Sequence, residues 1–219
     1  MISHFKNMMR KLKNIPKNTV LLGSVIAFLF VFPLIHNDGI KNLLNAVSYS
    51  LILLSTFLII DKSTKFLKYI NYIALIFIWL MFFISESFFL KYTVFFFSIV
   101  VLLISTFIMI KQIVKSSVVD VTLIIDTITG YLLLGLIFGL LNSIIILANP
   151  QAIAIEHPDL FSVMYYSFIT ITTIGFGDIS PVSEGAKILA ILFGIISQLY
   201  LTIIMGLIIG KFLNNSNRH

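Results

Sequence analysis

Six blocks of apolar residues, each near the length needed to cross a bilayer, occupy most of this 219-residue chain. They run over residues 19–35, 43–60, 69–84, 92–110, 121–148 and 186–210. A helix needs about 20 apolar residues to cross the hydrocarbon core of a bilayer. The chain is also 59% hydrophobic and only 11% charged, which is too little charge for a surface that faces water. Together these features predict an all-α integral membrane protein.

The 15 basic residues indicate which ends of the blocks face the cytoplasm. With six spans and the N-terminus inside, only Lys41, Lys91 and Lys187 fall in outer segments, and the other twelve are cytoplasmic. Basic residues concentrate on the cytoplasmic side of membrane proteins. The pattern therefore predicts six transmembrane helices, both termini in the cytoplasm, and a multi-pass protein of the cell membrane. Asp120 and Asp126, near the inner end of the fifth block, are expected to reach the membrane interface.

Residues that carry common enzymatic chemistry are absent or scattered. The chain has no cysteine, so it has neither disulfides nor thiolate metal sites. Paired carboxylates, histidine clusters and nucleophile motifs do not occur at catalytic spacing. The net charge of +6 comes from short clusters between apolar blocks, which does not indicate nucleic-acid binding. We therefore expect neither an enzyme nor a bound cofactor.

The segment between the last two blocks, 149–185, has a different pattern. Glu156-His157-Pro158-Asp159 predicts a helix start, because proline suits the first turn and acidic groups favour a helix N-terminus. The apolar stretch Leu160 to Ile171 is about three turns long, too short to span a bilayer. It runs directly into Thr172-Thr173-Ile174-Gly175-Phe176-Gly177-Asp178. Irregular backbone at membrane depth is tolerated only where it lines a polar cavity, so the segment predicts a re-entrant pore helix and loop between spans five and six.

The spacing of two glycines in this loop suits the coordination of an ion by backbone. A potassium ion gives up its water only if several oxygens replace the hydration shell together. Consecutive carbonyls can all point inward if alternate residues take left-handed backbone angles, which glycine adopts without a side-chain penalty. Gly175 and Gly177 are two residues apart, and Thr173 can add its hydroxyl at the inner mouth. One chain supplies one such loop, so a ring of carbonyls needs four chains around a common axis.

Over roughly residues 120–211 the chain resembles the potassium channel family. The resemblance is carried by Tyr131-Leu132-Leu133-Leu134-Gly135-Leu136, Phe161 to Tyr166, the loop above with Asp178-Ile179-Ser180-Pro181, and the last-block residues Gly194, Gln198, Gly206 and Gly210. The family resemblance implies a selectivity filter in which the carbonyls of Thr173, Ile174, Gly175 and Phe176 bind K⁺, the permeant ion. Gly177 would complete the outer turn of the filter.

Four further residues are expected to support this filter. Thr172 and Asp178 flank it, and four copies of Asp178 would form a carboxylate ring that concentrates cations at the outer entrance. By resemblance, Tyr165 and Tyr166 form an aromatic cuff that braces the filter. Their alternative role is to anchor the chain at the membrane interface.

Three residues of the last block are candidates for the inner helix and the central cavity. Gly194 is either a packing glycine or a hinge that lets this helix splay. Ser197 falls where many relatives carry a gating glycine. Gln198 is expected either to face the cavity, where its amide touches hydrated ions, or to bridge two helices.

These assignments divide the chain into a four-helix accessory membrane part, residues 1–115, and a pore domain, residues 116–219. The partners expected are further copies of the chain, as a homotetramer, and membrane lipid. The fourth block has no charge between Lys91 and Lys111, and the only arginines are Arg10 and Arg218. A voltage sensor requires several buried basic residues on that helix, so steep voltage gating is not expected.

Two other transport functions and one non-transport function compete with a potassium channel. A non-selective cation channel would share the scaffold, although the complete row of filter carbonyls favours potassium. A potassium transporter subunit would carry four degenerate loops, whereas only one loop is visible here, without an internal repeat. A non-conducting membrane sensor or scaffold would leave the Thr and Gly spacing unexplained.

Overall fold

The computed structural model describes residues 17–35, 38–59, 65–83, 88–116 and 119–216. These residues are almost entirely helical. The helices are α1 (Lys17–Ile26), α2 (Asp38–Ile59), α3 (Lys65–Phe83), α4 (Phe88–Lys115), α5 (Val121–Ala148), α6 (Leu160–Ile171) and α7 (Glu184–Ser216). Two strands of two residues each, β1 (Ile153–Ala154) and β2 (Ser180–Pro181), flank α6 and pair antiparallel. The chain is an all-α membrane protein, with this small strand pair as an addition that the sequence did not predict.

Within the described ranges, three helices are long and apolar enough to cross a membrane, namely α4, α5 and α7. At 1.5 Å per residue, the 28 residues of α5 extend about 42 Å, more than the roughly 30 Å of hydrocarbon in a bilayer. The apolar parts described for α1, α2 and α3 are shorter, at 10–17 residues. Six spans therefore remain a prediction. Helix α6 has 12 residues, or about 18 Å, which is too short to cross.

The first helical segment changes its type before it ends. Helix α1 passes into one turn of π-helix at Ala27–Val31 and then into a 3₁₀ turn at Phe32–Leu34. Pro33 lies in that last turn, and its missing N–H prevents an α-helix from continuing through it.

Helix α5 lies at the centre of the fold. Every residue of α5 from Leu133 to Leu140 is buried. The apolar residues of this helix lie on all sides of its axis, so it has no polar face. Such a helix needs partners on several sides. Helices α1, α4, α6 and α7 all pack against it. Since α1 and α4 contact α5 directly, the predicted accessory part shares a core with the predicted pore domain.

Two carboxylates near the N-terminal end of α5 have different roles. Asp120 caps the helix, where its Oδ1 accepts a hydrogen bond from the amide of Leu123 at 2.9 Å. Asp126 is 4% exposed and accepts a hydrogen bond from the side-chain amide of Asn18 on α1. The expectation that Asp126 reaches the interface is therefore wrong, because α1 covers this face of α5 and supplies a donor.

Lys211 joins the C-terminal part of α7 to the last turn of α4. Its Nζ donates to the carbonyl oxygen of Ile113 and, at 3.2 Å, to that of Val114. The last carbonyls of a helix lack partners within the helix and carry partial negative charge, so they favour a cation.

Candidate functional site

The short helix α6 begins at an acidic cap. Asp159 has extended backbone angles, and its Oδ1 accepts a hydrogen bond from the amide of Ser162 at 2.9 Å. Pro158 precedes this cap, so the prediction that proline occupies the first turn is wrong by two residues. The aspartate takes the capping position because its side chain can satisfy an otherwise unpaired amide of the first turn.

The loop after α6 alternates its backbone conformation. Thr173, Gly175 and Gly177 have positive φ angles of 61°, 53° and 80°. Among the described residues, Thr173 is the only non-glycine with a positive φ. A left-handed conformation costs an ordinary residue roughly 1–2 kcal/mol, and a β-branched residue there is a marked outlier. The sequence pointed to the two glycines but gave no sign that Thr173 shares their conformation.

The same loop is open on one side. Each residue from Thr172 to Asp178 is exposed, and Phe176 reaches 72%. Apolar Ile174 is also 56% exposed. Within one chain this row of backbone therefore faces empty space rather than protein.

The first half of the loop is held by the end of α6. The carbonyl oxygen of Ile169 accepts from the amides of Ile174 and Gly175, at 3.1 and 3.0 Å. The amide and the hydroxyl of Thr172 both donate to the carbonyl oxygen of Phe168, at 3.0 and 2.6 Å. The final carbonyls of a helix have no partner within it, and here the loop supplies those partners.

Two hydroxyls from different helices hold the last residue of α6. The carbonyl oxygen of Ile171 accepts from the hydroxyl of Tyr131 on α5 at 2.9 Å, and from that of Ser197 on α7 at 3.0 Å. Ile171 is fully buried, so these bonds satisfy an acceptor that water does not reach. The sequence analysis placed Ser197 at a gating position and did not identify this contact. The only sequence signal was a hydroxyl residue on each of two apolar helices.

The second half of the loop is joined to α6 by a tyrosine. The hydroxyl of Tyr165 donates to Oδ2 of Asp178 at 2.8 Å. Its neighbour Tyr166 points elsewhere, is buried, and packs against Phe138 of α5 with ring centroids 5.9 Å apart. The two tyrosines predicted to act as a pair thus have different neighbours.

The strand pair fixes the chain where it leaves the loop. Ile153 faces Pro181 and Ala154 faces Ser180. The carbonyl oxygen of Ala152 also accepts from the amides of Val182 and Ser183, at 2.9 and 3.0 Å. The segments before α6 and after the loop are therefore joined to each other.

Helix α6 lies very close to α5. A Cβ atom built on Gly135 would be 2.5 Å from the Phe168 ring, so only glycine fits there without a shift of the ring. The side-chain amide of Asn142 also donates to the hydroxyl of Ser167 at 3.3 Å. This close packing fixes the position of α6, and of the loop that follows it, along α5.

The two remaining candidates on α7, Gly194 and Gln198, lie on a face of the helix that no other part of the described chain covers. A Cβ atom on Gly194 would meet no atom within 4 Å in the part of the chain that the structure describes. Gly194 is therefore not a packing glycine within the subunit, and its carbonyl oxygen accepts from Ser197 at 2.9 Å. Gln198 is exposed. The structure brings Ser197 to the end of α6 and leaves Gly194 and Gln198 on the uncovered side of α7.

Comparisons with known proteins agree with this arrangement at the level of family. Neither the search of curated proteins nor that of solved structures gives a match to the chain. A family model described as "Ion channel" matches residues 121–214. That range begins with α5 and ends near the end of α7, so it contains α6 and the loop. The region from α5 to α7 is therefore similar to the ion channel family over 94 of the 219 residues of the chain.

Proposed function

We propose that the chain is one subunit of a potassium-selective channel that conducts K⁺ passively through a pore at the centre of four copies. The observation that carries this proposal is the alternation of positive φ angles at Thr173, Gly175 and Gly177. Alternation of this kind is what a backbone needs if successive carbonyls are to face one side. The ordinary β-turn types do not require three residues of positive φ at every second position.

In the proposed filter, the carbonyls of Thr173, Ile174, Gly175 and Phe176 replace the hydration shell of K⁺. Gly177 turns the chain outward at the end of this row. Thr173 adds its hydroxyl at the inner mouth, which supplies a further oxygen. Potassium is the transported ion, and no cofactor takes part.

The proposed homotetramer accounts for two exposed surfaces. One is the loop, whose open side is filled by the equivalent loops around the axis. The other is α7, since only 22% of its most apolar window is buried against 56% for α5. Its exposed apolar side chains would pack on neighbouring subunits or on lipid. Asp178 would then form a ring of four carboxylates at the outer entrance, which attracts cations.

We further propose that six helices cross the cell membrane, with both termini in the cytoplasm, and that residues 1–115 form an accessory part. Conduction is expected to depend weakly on voltage, because no charge lies between Lys91 and Lys111 on α4. Each charge that crosses the full field contributes about 2.3 kcal/mol per 100 mV. Currents that rise steeply over tens of millivolts would contradict this expectation.

Flux into liposomes tests the channel function. The purified chain, reconstituted in liposomes, should admit K⁺ down its gradient, and Gly175→Ala should lower this flux at least about tenfold because alanine disfavours the positive φ. Gly185→Ala is the matched control, since Gly185 is exposed in the first turn of α7 and a Cβ there meets nothing within 4 Å. Equal flux through both variants would reject the filter assignment.

A further inference from the structure

Four residues of α7 lie on one stripe of the helix, which faces the rest of the subunit. Ser197, Tyr200, Ile204 and Lys211 follow one another at intervals of three, four and seven residues. Residues at these intervals share one face of an α-helix. The first three are buried within the chain. Along this stripe, contacts to α6, α5 and α4 follow in turn.

The first two contacts of the stripe join α7 to α6 and α5. The hydroxyl of Ser197 donates to the carbonyl oxygen of Ile171, the last residue of α6. One turn later, the hydroxyl of Tyr200 donates to the carbonyl oxygen of Thr127 on α5 at 2.8 Å. A Cβ atom built on Gly130 would collide with this hydroxyl, so a larger residue there would displace it. These two bonds fix the middle of α7 on its own subunit.

The third contact is an apolar cluster that three helices share. Ile204 on α7 belongs to one buried cluster with Leu134 on α5 and Ile113 in the last part of α4. Burial of such side chains favours the contact because it removes apolar surface from water or lipid headgroups. Helix α4 lies in the predicted accessory part, so this cluster extends the stripe beyond the predicted pore domain.

Lys211 ends the stripe with a polar bond to the same part of α4. Its ammonium group donates to the carbonyl oxygens of Ile113 and Val114. Helix carbonyls at this end carry partial negative charge, and a charged donor makes roughly twice as strong a hydrogen bond as a neutral one. Among the residues that the structure describes, no other side-chain hydrogen bond joins the part of α7 after Tyr200 to another helix.

The opposite face of α7 is uncovered within the described chain. Gln198, Thr202, Met205 and Ile209 lie on it at intervals of four, three and four residues, and all are exposed. In the proposed tetramer, this face turns toward the axis and the neighbouring subunits. A bond on the stripe therefore holds α7 back from the axis.

We propose, on the basis of the channel function proposed above, that Lys211 is a positioning residue through which α4 keeps the C-terminal part of α7 away from the pore axis. With the bond in place, the pathway stays wide along this part of α7. Without it, residues 207–213 shift toward the axis and narrow the pathway. The predicted accessory part thus acts on conduction through one hydrogen-bonded lysine.

Hydrogen exchange of the full-length protein in lipid nanodiscs tests the contact without any ion flow. In Lys211→Met, the amides of residues 207–213 should exchange at least about fivefold faster than in the parent, because the end of α7 has lost its attachment. Residues 160–171 should exchange at the parent rate, which shows that the fold is intact. Lys211→Arg keeps a charged donor and should restore most of the protection.

Lys115→Met is the matched control for both measurements. Lys115 is exposed in the same turn of α4, so this variant also loses one positive charge at this end of the helix. The bond of Lys211 to the carbonyls of α4 remains intact in it. Exchange and conduction should therefore match those of the parent.

Single-channel recording in K⁺ tests the effect on conduction. Lys211→Met should lower the ratio of open to closed time about tenfold, and Lys211→Arg should return it to within about twofold of the parent. The conductance of the open channel should not change, because the loop at residues 172–178 keeps its own contacts.

Three results would overturn the proposal. They are parent-like exchange of residues 207–213 in Lys211→Met, faster exchange with an open-to-closed ratio that is unchanged or raised, and equal effects of Lys211→Met and Lys115→Met. A parent protein without K⁺ current would instead reject the proposed channel function. The exchange rates would then still decide whether Lys211 fixes the end of α7 to α4.

Discussion

The hydroxyl of Ser197 on α7 donates to the carbonyl oxygen of Ile171, the last residue of α6, at 3.0 Å. Tyr131 on α5 donates to the same oxygen at 2.9 Å. A single buried acceptor thus joins the two long helices of the matched region to the short helix that carries the loop. Any movement of α7 past Ser197 must break this bond, which makes it a direct link between that helix and the base of the loop.

Removing both donors should cost more than the sum of the single changes. In Ser197→Ala or Tyr131→Phe, the other hydroxyl still satisfies the carbonyl, so each should lower the free energy of unfolding by about 1 kcal/mol. The double variant leaves a buried acceptor unpaired, which adds about 1–3 kcal/mol. Thermal unfolding of the four proteins in detergent gives the coupling energy.

Thr93→Val is the control for that experiment, because among the described residues the hydroxyl of Thr93 bonds to the carbonyl oxygen of Phe89 in its own helix, α4. It should leave the free energy of unfolding nearly unchanged. Strict additivity of Ser197→Ala and Tyr131→Phe would show that the two hydroxyls do not share one acceptor.

At position 173, glycine should be more stable than alanine. Thr173 has a φ of 61°, which glycine adopts freely and alanine does not. The Thr173→Gly protein should therefore exceed Thr173→Ala by about 1 kcal/mol in free energy of unfolding. In helix α7 the order should reverse, with Gly185→Ala more stable than the parent by about 0.5–1 kcal/mol. The same order at both positions would contradict a left-handed residue 173.

The bond between Tyr165 and Asp178 should keep the outer half of the loop in place. Tyr165→Phe removes the donor and leaves the ring, so conducting periods in single-channel records should shorten several-fold. Asp178→Asn keeps an acceptor for Tyr165 and should shorten them less. Tyr69→Phe is the control, since Tyr69 is 65% exposed on α3. Equal open times in all of these proteins would show that the bond does not stabilise the loop.

Removing Asn18 alone, which leaves the buried Asp126 unpaired, should destabilise the fold more than replacing both Asn18 and Asp126. Asn18→Ala leaves the Asp126 carboxylate without its donor and should cost about 2 kcal/mol in free energy of unfolding. Replacing both residues by leucine removes the buried charge as well and should recover most of that loss. A double variant as unstable as Asn18→Ala would show that the pair itself stabilises the contact between α1 and α5.

Apolar length and glycine spacing allowed much of this architecture to be predicted. The sequence predicted a short helix through the apolar run Leu160 to Ile171, because that run is too short to span, although it put Pro158 in the first turn and the structure begins the helix after the Asp159 cap. It also singled out Gly175 and Gly177, which have positive φ. These features are local, so they can be read from neighbouring residues.

Contacts between distant parts of the chain could not be predicted in this way. The bond from Ser197 to Ile171 joins residues 26 apart, and that from Asn18 to Asp126 joins residues 108 apart. Ser197 looked like a substituted gating glycine, and Asp126 like an interfacial carboxylate, because the sequence does not show which helix covers each face. The positive φ of Thr173 was also missed, since the hydrogen bonds of the whole loop impose it against the preference of threonine.

The reversal potential under opposed ion gradients tests the central claim most directly. The purified chain would be recorded in a planar bilayer with K⁺ on one side and Na⁺ on the other. If the carbonyls of residues 173–176 replace the hydration shell of K⁺, the current should reverse close to the equilibrium potential of K⁺. A reversal potential near zero would instead identify a non-selective cation channel and contradict the proposed filter.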